Sequence, residues 1–247
     1  MLFRSCFEVE ARLRELLDIP VFHDDQHGTA VVVLAALRNA LKLVKKDLST
    51  TTIVLSGAGA AGTAIARLLV LAGAKNIIGF DSSGVINKKS TVNNEMRKWF
   101  VEHCNPGQFE GTLSQALKGA DVFIGVSAPN IVSEADVESM AKDSIVFALA
   151  NPDPEIDPVL ARKHAAVVAT GRSDQPNQIN NVLAFPGIFR GLLDAGASKI
   201  TDKLLVACAD AIASCVSESQ LNASFIVPSV FDPNVVKAVA DAVKRCS

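Results

Sequence analysis

An α/β fold, in which helices wind over both faces of a parallel sheet, is predicted by three features of the 247-residue sequence. Short β-branched apolar runs alternate with helical segments between Thr52 and Ala169. A glycine-rich loop, Gly57 to Gly62, joins the first of those runs to a helix. An acidic residue, Asp81, ends the second run. Alternation needs a helical crossover between strands, which makes the strands parallel and buries both faces of the sheet. Loop, helix and acid together define a doubly wound Rossmann-type parallel sheet, here with flanking N- and C-terminal helices.

Taken in order, residues 6–17 (CFEVEARLRELL) space Val9, Leu13, Leu16 and Leu17 as one helical face. Residues 19–22 read as a short apolar strand, followed by a polar knot, His23-Asp24-Asp25-Gln26-His27-Gly28-Thr29. Residues 30–46 form a long apolar helix whose last turn carries Lys42, Lys45 and Lys46, suited to a helix C-terminus. Strands follow at 52–56, 76–80, 121–125, 144–148 and 166–169, with helices at 63–71, 93–104, 113–118, 133–141 and 158–164. Ser133 is placed to cap its helix. The last third reads as helices at 182–195, 202–217 and 233–246. No repeat or linker divides the chain, so the terminal helices are expected to pack on the α/β core as one unit.

Composition narrows the function classes. With 24 basic and 26 acidic residues, the chain has no electrostatic footprint for nucleic acid or an anionic membrane. The longest apolar stretch, residues 30–37, is ended by Arg38 and followed by Lys42, which argues against a membrane span. Cys6, Cys104, Cys208, Cys215 and Cys246 are odd in number and scattered, suggesting reduced thiols rather than a disulfide framework or zinc site. No signal-peptide pattern opens the sequence. A soluble cytoplasmic protein is the expectation. The chain also has no tyrosine, so no tyrosine general acid or nucleophile can come from it.

Gly57-Ala58-Gly59-Ala60-Ala61-Gly62 matches G-x-G-x-x-G between a strand and a helix. Gly57 permits the tight turn, Gly59 lets a pyrophosphate approach the backbone, and Gly62 lets the helix sit close to the strand. Ala60 and Ala61 then stand at the helix N-terminus, where free N–H groups and the dipole favour phosphate. Asp81 would accept hydrogen bonds from the adenosine ribose, which favours NAD. Lys88 and Lys89 leave the choice open, either as partners of a 2′-phosphate or as solvated surface lysines.

The knot at 23–27 sets two adjacent carboxylates between apolar segments, a costly arrangement unless a cation or proton settles them. Hard oxygen ligands suit Mg²⁺ or Mn²⁺. Neighbouring strand residues point to opposite faces, so strand geometry would let only one of Asp24 and Asp25 ligate. A capping role for Asp25 is the plainer reading. His23 and His27 lie four apart, but no third soft ligand follows at a zinc-like spacing. Farther along, Asn151-Pro152-Asp153-Pro154 and Gln178-Ile179-Asn180-Asn181 come after the predicted strands at 144–148 and 166–169. Parallel sheets bind ligands past the carboxyl ends of their strands. Asparagine can hold a carboxylate, a hydroxyl or a nicotinamide amide, and it also makes turns. Arg172 could meet a substrate carboxylate or form an ordinary salt bridge.

Val21–Ala30 (VFHDDQHGTA), the GAGAAG loop with Asp81-Ser82-Ser83-Gly84, residues 147–156 (FALANPDPEI) and residues 169–191 (ATGRSDQPNQINNVLAFPGIFRG) resemble malic enzyme. The resemblance covers about residues 6–217 in order, with residues 1–5 unrelated in character and 6–247 forming the NAD(P)-binding domain with terminal helices. It implies oxidative decarboxylation of malate to pyruvate and CO₂ with NAD or NADP and Mg²⁺ or Mn²⁺. It also implies that Asp25 is a metal ligand and that Asp24 helps position a catalytic lysine. By the same resemblance Asn151 and Asn181 contact substrate. Thr29, Gly57, Gly59, Ala60, Ala61, Gly62, Asp81 and Asn180 serve the cofactor, and Lys88 falls where some NADP-dependent members carry a lysine. A homo-oligomer is implied for the full-length protein.

The family draws its tyrosine general acid, its lysine base and a Glu-Asp pair of metal ligands from an N-terminal domain, and no such residues precede Cys6 here. The chain is therefore expected to be inactive alone. Two alternatives stand beside this reading: a non-catalytic dinucleotide-binding or regulatory module, and a malolactic-type lyase in the full-length protein.

Overall fold

The computed structural model describes residues 2–92 and 94–247. The predicted helix at 93–104 thus starts on a residue, Asn93, outside the described ones, as are Met1 and the side chain of Cys6.

Six strands form one sheet: β1 (Thr52–Ser56), β2 (Asn76–Asp81), β3 (Gly84–Val85), β4 (Val122–Gly125), β5 (Ile145–Ala148) and β6 (Val167–Thr170). Their spatial order is β3-β2-β1-β4-β5-β6. β1 lies at the centre, with Ile53 facing Ile77 on one side and Val122 on the other, both in parallel register. Only the two-residue β3 runs antiparallel, folding back on Phe80 and Asp81 of β2; the sequence reading did not anticipate it. The strand order reverses between β1 and β4, so the crevice above their carboxyl ends is the topological switch point, where such sheets bind ligands.

Alternate residues of each strand bury opposite faces, as a sheet covered on both sides requires. On one face Ile53, Leu55, Ile77, Val122, Ile124, Ile145, Phe147 and Val167 join a core with the helices α2 (Thr29–Val44), α3 (Ala60–Leu71), α8 (Phe185–Ala195), α9 (Asp202–Ser214) and α10 (Pro233–Cys246). On the other, Val54, Ile78, Phe123, Val146 and Val168 pack on the short helices α5 (Leu113–Leu117), α6 (Glu134–Glu138) and α7 (Pro158–Ala161). The remaining helices are α1 (Leu2–Leu16) and α4 (Glu95–His103). Ser133 caps α6 in a reciprocal capping box with Asp136.

α2 packs against α3 and α9, and Val31 through Leu37 have no exposed surface. The helical stretch Asp24–Val44 is long and apolar enough to cross a membrane by length and composition, a property not seen in residues 30–37 alone, but most of it is buried inside this fold.

Three expectations need correction. Residues 19–22 form no strand. Pro20 brings no N–H to a ladder, and the Phe22 ring packs instead on His27 and Phe189 at centroid distances of 5.8 and 5.7 Å. The polar knot is a π-helical turn, Asp24–Gly28, running straight into α2. Strand alternation therefore does not govern Asp24 and Asp25. The single helix expected at 182–195 is a 3₁₀ turn, Asn181–Leu183, followed by α8, with Pro186 in the first turn of α8 as proline prefers.

Candidate dinucleotide and substrate cleft

A cleft of about 550 Å³ opens above the carboxyl ends of the strands. Its lining brings together Asp24, Asp25 and Thr29 from the π turn and α2, Ala61 from α3, Asn151 after β5, and Asn180 and Asn181 after β6. Segments up to 157 residues apart in sequence thus meet in one place.

The cofactor side is built by β1, the loop and α3. Gly57 has φ +111°, and a Cβ there would stand 2.6 Å from the Val126 carbonyl oxygen on the neighbouring strand's extension; only glycine combines that backbone with that approach. Gly62 presses on the turn itself, since a Cβ would fall 1.6 Å from the Gly57 carbonyl oxygen. Gly59 is different: a Cβ added there meets nothing within 4 Å. Its open side is space for a ligand. α3 begins earlier than expected, at Ala60, with Gly59 as N-cap and no side-chain cap. Its first N–H groups are therefore free to meet a phosphate.

Asp81 ends β2 as expected, with Oδ1 accepting from Ser83 N at 2.8 Å. Its Oδ2 is held by Arg97 of α4, a partner that sequence reasoning missed. Lys88 is exposed, and its backbone N–H donates to Gln108 Oε1 at 3.0 Å. Lys89 pairs with Glu110 at 2.5 Å.

The acidic side of the cleft is a carboxylate clamped by an amide. Asn181 Nδ2 donates to Asp24 Oδ2 at 3.2 Å and to the Asp24 carbonyl at 3.3 Å, while Asn181 Oδ1 accepts from Thr29 Oγ1 at 3.1 Å. Both N–H groups of Asn181 are spent on Asp24, leaving one Oδ1 lone pair for anything else. Asp24 Oδ1 is buried with no hydrogen-bond partner among the described residues. Burial pushes the Asp24 carboxyl above its ordinary value; the Asn181 bond opposes this and the charge of Asp25 adds to it. Gly28 makes the clamp fit, because a Cβ there would stand 2.1 Å from Asp24 Oδ1. Asp25 is exposed, and the π turn has no side-chain cap, so the capping role is not what Asp25 does.

Behind Asp24 the turn is tied to α1. Glu10 Oε1 lies 2.7 Å from His27 Nε2 and 2.9 Å from Arg14 Nη2, and its Oε2 accepts from Gln26 Nε2 at 2.7 Å. Burial would raise the Glu10 carboxyl, but the His27 bond and the charges of His27, Arg14 and His23 outweigh it and hold it below its ordinary value.

Asn151 stands exposed at the cleft, before a cis bond to Pro152, and Asn180 uses its Oδ1 to cap the 3₁₀ turn through Val182 N at 3.0 Å. A second residue missed from sequence, Glu155, is fully buried beneath both loops and accepts from Ser127 N at 2.9 Å and Ala150 N at 3.0 Å. Burial pushes its carboxyl up against those bonds. Its place three residues after Pro152 in a polar loop was the available signal. Arg172 forms a bidentate pair with Asp174, at 2.9 and 2.8 Å, so its ordinary salt-bridge role is the observed one. Among the described residues, no group of three His, Cys, Asp or Glu side chains could hold a metal by itself.

A six-stranded sheet with a glycine turn at its switch point and an acid ending the adjacent strand defines a Rossmann-type dinucleotide-binding domain. Residues 26–247 match the family model described as the malic enzyme NAD-binding domain, and the chain belongs to the malic enzyme family. It is 57% identical to the NAD-dependent malic enzyme of Geobacillus stearothermophilus, over 96% of this chain and 50% of that protein. It is 50% identical to the bifunctional malic/malolactic enzyme of Bacillus subtilis, over 98% of this chain and 60% of that protein. The crystal structure of the NAD-dependent malic enzyme from Thermotoga maritima superposes with a TM-score of 0.92 at 46% identity, covering 97% of this chain and 63% of that one. The chain thus spans about half to three-fifths of the length of these relatives.

Proposed function

We propose that this chain forms the cofactor-binding half, and the floor of the active site, of an enzyme that oxidatively decarboxylates malate to pyruvate and CO₂ with NAD or NADP. The observation that carries this reading is the cleft in which Ala61 of the glycine loop, Asp24, Asp25 and the asparagines meet. The N–H groups at Ala60, Ala61 and Gly62 hold the pyrophosphate, and Asp81 takes the adenosine ribose hydroxyls. Asn180 lies at the nicotinamide end. Asn151 orients the substrate as hydride leaves its C2 carbon, and Asn181, with its one remaining lone pair, completes the pocket.

The carboxylates fit a divalent cation in part. Asp25 is an exposed hard-oxygen donor at the cleft, and Asp24 Oδ1 is a buried acceptor with no donor among the described residues. Two carboxylates suit Mg²⁺ or Mn²⁺, with the rest of the shell made by substrate, water or sequence outside this chain. A cation held there would polarise the C2 oxygen of the substrate during loss of CO₂. Asp24 would also accept from the lysine base that the family supplies from its other half.

The general acid has to come from elsewhere, because this chain contains no tyrosine. Alone, it should bind dinucleotide and turn over nothing. Calorimetric titration of NAD and NADP, with a malate-dependent NAD(P)H assay on the same preparation, tests both halves. No heat with either nucleotide sinks the binding reading, and turnover well above background sinks the division of labour.

The Bacillus relative's malolactic activity favours a second outcome for the full-length enzyme, a lactate product with no net redox change; a product assay separates the two. Cys104, Cys208, Cys215 and Cys246 are free, and burial pushes the Cys104 and Cys208 thiols up to about 12, so these two do not act as thiolates; the location, expected from the sequence to be cytoplasmic, is read by fractionation. Phe231, with 90% of its surface exposed, is a candidate contact in a homo-oligomer.

A further inference from the structure

Glu155 is a buried carboxylate that meets no cation. It has no exposed surface, and no lysine, arginine or histidine among the described residues pairs with it. Its place shows how so costly a group is held. The parallel ladder of β1, β4 and β5 runs out with Val126 N on Ser56 O at 2.9 Å and Leu149 N on Gly125 O at 2.9 Å. One residue farther along each segment, Ser127 N and Ala150 N donate to the two oxygens of Glu155, at 2.9 and 3.0 Å. Two oxygens that both accept N–H bonds fit the ionised group, since a protonated acid would turn an O–H toward one of those donors. Gly125 keeps room for the carboxyl: a Cβ there would stand 2.3 Å from Glu155 Cδ. Ser127 Oγ lies 2.9 Å from Ser56 Oγ, which carries the tie to the strand end before the glycine loop.

Ser127, Ala150 and Asn151 all line the cleft. The negative charge therefore lies directly behind the cleft wall, one hydrogen bond from two residues that a ligand would touch, in buried surroundings that screen it weakly. A nicotinamide ring carries a positive charge when oxidised and none when reduced. We propose that Glu155 is a positioning and specificity-determining residue of the nicotinamide end: it fixes the Ser127 and Asn151 segments and sets behind them a negative charge that favours the oxidised ring over the reduced one. This rests on the dinucleotide reading above and adds the oxidation state of the cofactor to it. Such a site takes up the oxidised cofactor and releases the reduced one.

The test is calorimetric titration of NAD, NADH, NADP and NADPH into the unmodified 247-residue chain and into E155Q and E155D. The unmodified chain should bind the oxidised form of its nucleotide more tightly than the reduced form. Glutamine keeps the shape and removes the charge, so E155Q should weaken the oxidised form about fivefold or more while the reduced form changes less than about twofold. Aspartate keeps the charge, so E155D should hold the ratio of the two affinities within about twofold of the unmodified chain, even where both fall. Hydrogen exchange at the Ser127 and Ala150 amides of the unmodified chain, before nucleotide is added, reads the positioning without any variant and should be slowed about 100-fold or more relative to open loop amides. Tighter binding of the reduced form by the unmodified chain overturns the proposal, as does fast exchange at both amides. So does an equal loss of both forms in E155Q, the mark of a structural brace, or an unchanged affinity for both. If no nucleotide binds the unmodified chain, the dinucleotide reading fails first and this inference with it.

Discussion

The two ends of the cleft are finished to different degrees. At the cofactor end the chain braces its own turn and acid: Gly57 against Val126, Gly62 against Gly57, Asp81 between Ser83 and Arg97. At the acidic end Asn181 clamps one oxygen of Asp24, the other oxygen is buried with no partner among the described residues, and Asp25 faces the open cleft. A buried carboxylate oxygen without a donor is costly unless something supplies one. On the function proposed above, the contrast separates nucleotide binding, carried by these residues, from chemistry that draws on groups beyond them.

The largest expected effect follows from Gly62→Val. Its Cβ would collide with a backbone carbonyl that cannot move without undoing the turn. NAD binding should fall below detection by calorimetry. Overpacking of this kind should also cost about 1–3 kcal/mol, read as a lowered Tm. An unchanged isotherm would mean that the loop does not carry the nucleotide.

Gly28→Ala is the matching change at the acidic end and should act more narrowly. The new methyl displaces Asp24 Oδ1 and breaks the Asn181 clamp, at a stability cost of about 1 kcal/mol, since one hydrogen bond is lost. ADP-ribose, which probes only the adenosine half, should bind within about threefold of the unmodified chain, because distant sites act independently. A larger loss of ADP-ribose affinity would show the two ends to be coupled, and the comparison would fail.

The smallest effect is a pH dependence behind the acidic end. The Glu10 carboxyl lies below its ordinary value of 4.5 in the folded chain, so its contribution is fully present above pH 4.5 and is lost as pH falls through the folded value. Hydrogen exchange in α1, corrected for intrinsic rates, should therefore accelerate at pH 3.5 relative to pH 6, and Glu10→Gln should remove most of that difference. Equal protection at both pH values would separate α1 from the Glu10 cluster.

What could be read from the sequence follows the range of the interactions. The loop and the strand that precedes it were legible because turn, phosphate cradle and helix start lie within a few residues, each set by backbone sterics. Asp81 was legible for the same reason, but Arg97 was not, because it approaches from 16 residues away on another element. The clamp joining Asn181 to Asp24 spans 157 residues, so each was found as a candidate and their bond was not. Residues 19–22 misled because an apolar run looks the same whether it meets a strand or, as Phe22 does, the ring of Phe189. Glu155 was missed in the sequence; its burial and its bonds to Ser127 and Ala150 reveal that it ties two loops together.

The π-helical turn at Asp24–Gly28 has a consequence for how the protein can change. It carries one more residue per hydrogen-bonded ring than the helix it feeds, so the acidic pair and the buried run Val31–Leu37 need not share one angular phase. Removing a single residue there would swing the two carboxylates by about 100° around the helix axis while the apolar stripe stayed in register with the sheet. The turn acts as an adjustable coupling between core and cleft, through which the acidic side chains can be re-aimed without repacking the interior.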